Sequence, residues 1–84
     1  MNARETEQRR AEQARRLLED PLMRESFAAV EARLRERWLA TAEDGAAERE
    51  RLWLSLRLLR QLQGYLQEAV TTGRLASLAE AAER

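Results

Sequence analysis

Eighty-four residues make one domain at most, and a chain this short buries only a modest core. Fifteen basic residues, all arginine, balance fifteen acidic ones, so no net field draws the chain to nucleic acid or to an anionic membrane. Cysteine and histidine are absent, which removes the usual ligands of zinc, haem and iron–sulfur centres, together with thiol and Ser–His nucleophiles.

Ala, Leu, Glu, Arg and Gln dominate, all good helix formers, while isoleucine is missing and valine occurs only at Val30 and Val70. The class expected is all-α. Residues 3–19 read as a polar helix in which Glu12 precedes Arg16 by four positions, a favourable order on a helix surface. Apolar residues are scarce there until Leu17 and Leu18, so this segment is expected to fray or to order only against a partner. Asp20-Pro21 is the sharpest punctuation: proline disfavours helix at the residue before it and suits the first position of a new one. Asp20 is placed to cap a second helix over 21–41, whose apolar stripe is Met23, Phe27, Val30, Leu34 and Trp38.

Ala42-Glu43-Asp44-Gly45 interrupts the pattern, and a loop this short implies antiparallel neighbours. A third helix is expected over 46–72, ended by Gly73 as its C-cap, with a short helical tail over 74–84 carrying Leu75, Leu78 and Ala82. The architecture expected is a single helical domain, residues 1–84. Its centre is an antiparallel hairpin of two long helices, with an extra polar N-terminal helix and a short C-terminal tail.

The third helix is the informative element. One stripe, Leu52, Leu56, Leu59, Leu66 and Val70 with Leu62 beside it, can pack on the second helix. Another set, Leu54, Leu58, Leu62 and Tyr65, lies along a shifted face, and Trp53 lies off both. A helix apolar over so much of its circumference is buried on more than one side. Each covered Leu is worth roughly 1.5–3 kcal/mol, so Trp53, Leu54, Leu58, Leu62 and Tyr65 are the candidate interface. Homo-oligomerisation heads the expected partners, ahead of a different protein.

Catalytic and cofactor chemistry finds no support: the glycines stand singly at Gly45, Gly64 and Gly73, and no phosphate loop is present. The pairs Glu19-Asp20 and Glu43-Asp44 sit at helix boundaries, where capping explains them. No cofactor and no enzymatic activity are expected. Arg33, Arg37, Arg57 and Arg60, with Trp53 and Tyr65 near, could contact nucleic acid. The simpler reading is that these arginines lie along apolar helix surface with their heads in water. Gly64, in mid-helix, marks either a close helix approach or a tolerated cost. The charged N-terminus does not read as a secretory signal, and no apolar run approaches the ~20 residues needed to span a bilayer. The expectation is a soluble protein without a membrane partner.

The string Ala14-Arg15-Arg16-Leu17-Leu18-Glu19-Asp20-Pro21-Leu22, followed by Phe27, Val30 and Trp38, resembles the opening of small helical proteins of tailed phages. Arg49-Glu50-Arg51-Leu52-Trp53, then Leu58-Leu59 and Leu62, and the closing Thr72-Gly73-Arg74 resemble their continuation, so that the similarity covers residues 11–75. That family is uncharacterised and its genes tend to lie near head and packaging genes. The resemblance implies a phage origin and a place in virion or head assembly and packaging, in the host cytoplasm or in the particle. It carries over no functional residues. The alternatives are a small phage inhibitor that binds a host defence protein, and a nucleic-acid-binding packaging accessory.

Overall fold

In a computed structural model, which describes residues 2–84, Asn2 starts the first helix: its side chain accepts the backbone N–H of Glu5 at 2.8 Å. Helix α1 runs Ala3–Glu19, α2 Pro21–Leu39 and α3 Ala46–Ala82, with no strand among the described residues. Asp20 separates the first two. Its backbone is extended, and its carboxylate accepts the N–H of Met23 at 2.8 Å, so one residue both breaks α1 and caps α2. Helix α2 stops at Leu39, two residues short of the expected end, where the Thr41 hydroxyl bonds the Trp38 carbonyl at 2.8 Å. The turn that follows is clasped from α3. The Arg49 guanidinium donates to the Ala42 carbonyl at 2.7 Å, to Thr41 Oγ1 at 3.1 Å and to the Glu43 carbonyl at 3.3 Å.

Helix α3, about 55 Å long at the usual rise, is the spine. Both other helices lie against it in the opposite direction, one after the other. Arg4 pairs with Glu83 and Gln8 with Glu80 near its C-terminal end, while Glu31 faces Arg60 nearer the turn. The molecule is a rod of 62 × 24 × 19 Å. Its radius of gyration is 18.0 Å, where a globular chain of this length would have about 12 Å.

Packing along α3 differs between its two halves, and this corrects the expected arrangement. The most extensive contact is not between the two large-residue helices but between α3 and the polar α1. Among the buried and half-buried positions of α1, Arg4, Glu7, Ala11, Ala14 and Leu18 are spaced alternately three and four apart, with Gln8 and Glu12 half-buried beside them. That spacing keeps a seam facing a neighbouring helix. The matching seam of α3 is Leu52, Leu56, Leu59, Gln63, Leu66, Val70 and Gly73. Where α1 crosses, the seam residues are small: Ala11 and Ala14 on one side, Gly73 and Ala76 on the other. Small side chains bring the backbones close, and α1 is held without any large apolar residue before Leu17.

Gly73 is therefore not a C-cap. A Cβ added to it would overlap the Cβ of Ala11 and stand 3.0 Å from the Glu7 carbonyl oxygen. Glycine is present because another helix passes there, and α3 continues through it to Ala82, absorbing the segment expected as a separate tail. At Gly64, by contrast, an added Cβ meets nothing within 4 Å; no close approach requires it. On α2 the expected stripe is half met. Met23, Phe27 and Leu34 are partly covered by α3, whereas Val30 and Trp38 remain 41 % and 43 % exposed.

Charges decorate the outside of α1. Arg15 bridges Glu12 and Glu19, Arg16 also reaches Glu12 at 3.2 Å, and the Arg4–Glu83 pair is bidentate. Hydrogen bonding from Arg15 and the neighbouring positive charges hold the Glu12 carboxyl down at about 2 against its ordinary 4.5, despite an opposing desolvation effect. Glu83 is lowered in the same direction by Arg4.

Gly64→Ala should raise thermal stability, by about 1 kcal/mol from helix propensity alone. Gly73→Ala, favoured by the same propensity, should instead lower it by about 1–3 kcal/mol through overpacking, and adding Ala11→Gly should recover part of the loss in a circular dichroism melt. On acidification, a carboxyl whose folded pKa is depressed stabilises fully above its unfolded value and loses that contribution as pH falls through the folded one. The melting temperature should therefore fall as pH drops from 4.5 towards about 2, by a small amount because these groups are exposed, and Glu12→Gln should flatten part of that decline.

Candidate interaction surface

The described residues have little interior. Ala14, Leu52, Gly73 and Ala76 are buried, and no large side chain is fully enclosed. The accessible surface is 6723 Å², against about 5200 Å² expected of a compact monomer of this mass.

The structure divides the five candidate interface residues between two neighbouring features. Leu54, Leu58, Leu62 and Tyr65 are 45 to 65 % exposed and follow one another on α3 at helical spacings of four, four and three. Side chains three or four positions apart are neighbours on a helix surface, so these four make one continuous apolar strip. Tyr65 is anchored at the far end of it. Its hydroxyl accepts from Arg10 at 3.0 Å, and the same guanidinium stands 6.0 Å from the ring centroid, tying the strip to α1.

Trp53 belongs to the second feature. With Leu34, Arg35, Trp38, Leu39, Leu52 and Leu56 it lines an apolar groove of about 360 Å³ between α2 and α3, open to solvent. Trp38 from α2 and Trp53 from α3 both line it. Trp53 is still half exposed, and Arg57 lies over its ring at 5.5 Å from the centroid. The Trp38-Leu39 half of this groove is missed by periodicity, which assigns Trp38 to the seam. The adjacent pair of large apolar residues at a helix end was the available signal.

The four arginines considered for nucleic acid have mixed surroundings. Arg57 is engaged with Trp53, and Arg60 faces Glu31 at 3.6 Å, a carboxylate that also holds Arg35 at 3.0 Å. Arg33 and Arg37 project from exposed positions of α2. Carboxylates are interleaved with this group, so it does not form a uniformly basic patch of the kind that binds phosphate backbones. No group of acidic side chains among the described residues is placed to hold a metal ion, and no described helix is long and apolar enough to cross a membrane.

Comparison with protein-family models, with curated proteins and with solved structures gives no match. The surface must be read on its own chemistry, which separates residues that hold the fold from residues that do not. Leu52, 8 % exposed, belongs to the first kind and Leu58, 65 % exposed, to the second. Leu52→Ala should cost about 2–4 kcal/mol in urea unfolding. Leu58→Ala, in dilute solution where any association is suppressed, should cost less than about 0.5 kcal/mol.

Proposed function

We propose that the chain is a non-catalytic protein–protein interaction subunit that works by burying the outward strip of α3, Leu54, Leu58, Leu62 and Tyr65, with Trp53 at its edge. The observation that carries this reading is the strip itself: four large apolar side chains in an unbroken row, each roughly half exposed or more. Scattered surface leucines are ordinary on soluble proteins, but a contiguous row on one face marks an interaction site. The rest of the molecule supports the same reading. The groove beside the strip is open and apolar and lacks the convergent polar groups that fix a small ligand. On its resemblance to small tailed-phage proteins, we assign such a subunit to the virion or to head assembly and packaging.

A photoreactive phenylalanine derivative installed at Leu58 tests this in the producing cell, with one at Arg16, on the charged outside of α1, as control. Adducts to protein are expected from position 58 and not from position 16. They should be suppressed several-fold when Leu54 is also changed to Glu, with the helical circular dichroism signal intact. Equal labelling at both positions, or none at position 58, sinks the reading.

A further inference from the structure

Helix α3 carries a second seam besides the one that receives α1 and α2. Arg51, Leu54, Leu58, Gln61, Tyr65 and Glu68 succeed one another at alternating steps of three and four. This is the period that keeps a stripe turned towards one neighbouring helix. All six are exposed. The helix thus has two faces built to pack, and the chain covers one of them.

The second seam is complementary to itself when reversed. A two-fold axis crossing α3 between residues 59 and 60 sets Leu54 opposite the partner's Tyr65 and Leu58 opposite the partner's Gln61. It also sets Arg51 opposite the partner's Glu68, and each pair occurs twice, with the roles exchanged, as an isologous contact requires. A parallel pairing in register would instead bring Arg51 against the partner's Arg51 and Glu68 against the partner's Glu68, which like-charge repulsion opposes. The two charges are available for this. Arg51 and Glu68 make no side-chain hydrogen bond or ion pair with any other described residue, although Arg4, Arg15, Arg16, Arg35 and Arg60 all do.

Area points the same way. A standard protein interface hides about 800 Å² on each partner. The chain shows 6723 Å², an excess of roughly 1500 Å² over a compact monomer of its mass, so a dimer contact of ordinary size fits within that excess.

From the reversed complementarity of the seam we infer that its occupant is a second copy of this chain, packed antiparallel about a two-fold axis near residue 60. The two α3 helices form the centre of the pair, and α1 and α2 lie on their outer sides. The inference rests on the reading of the strip as a protein interface and adds to it the partner and the register.

The test uses the full chain. Light scattering across a concentration series should give a dimer. Arg51→Glu and Glu68→Arg, each alone, should weaken it roughly tenfold, since two exposed pairs are reversed at once. The double exchange should return the dissociation constant to within about threefold of the original, and the single-variant effects should shrink in high salt. Both positions are exposed, and circular dichroism melts check that the variants remain folded. The chain has no cysteine, so Glu50→Cys accepts a single spin label. In the antiparallel pair two such labels are separated along the axis by about 28 Å, and in a parallel pair they lie side by side. A monomer at all concentrations, a dimer indifferent to either single substitution, or a short label-to-label distance would each overturn the inference. None of these bears on the crosslinking at Leu58, which judges the surface itself.

Discussion

The contact between Gly73 and Ala11 is the constraint around which the rod is organised. Helix α1 has almost no apolar bulk, so it can be held only where the backbones approach closely and many small contacts add up. Glycine and alanine at that crossing allow the approach, and once it is made the flanking polar residues fall into place. Gln8 bonds Ser77 and Glu80, Arg4 reaches Glu83, and Arg10 reaches Tyr65. With α1 docked, the C-terminal part of α3 is covered and continues as helix well past the glycine. Without that crossing, a glycine at that place would be free to end the helix, as it commonly does.

The two halves of the rod are consequently held by different means. One end is zipped by small residues and capped by ion pairs, with Leu75 and Leu78 left exposed on its outer side. The other is spaced apart by Trp38, Trp53 and the leucines between them, and stays open. Asp20 allows this difference. Its extended backbone interrupts the arm opposite α3, so α1 and α2 pack on the spine as separate helices, α1 the more extensively. A continuous helix could not sit close at one end and apart at the other without bending. The exposed apolar strip runs along the open half and reaches the closed one at Tyr65, whose ring is steadied by an α1 arginine.

The helical class, the break at Asp20-Pro21, the turn near residue 45 and the apolar strip of α3 were legible in the sequence. Each depends on a residue type with a strong local signature, or on large side chains at helical spacing. The packing of α1 was not, because its seam is written in alanine. Ala11 and Ala14 look like helix formers with nothing to bury, and only the presence of Gly73 opposite turns them into a contact surface. Gly73 itself carries the same letter whether it caps a helix or admits another one. Distinguishing the two requires knowing what lies across from it, which is a fact about residues more than sixty positions away. The groove was half legible for a related reason: Trp38 falls on the stripe that faces α3, but the separation of the helices leaves it at an opening.

That distance in sequence also bears on how the molecule comes to be folded. All-α chains usually join neighbouring segments and fold fast because few of their contacts are remote. Here α2 and α3 can meet early through the short turn, but the partner surface of α1 is made of residues near the other end of the chain. During synthesis α1 emerges first and waits longest. Its dense alternation of arginine and glutamate suits that wait: a segment with little apolar surface offers nothing for misplaced hydrophobic contacts to seize. The last part of α3 is the step that completes the rod.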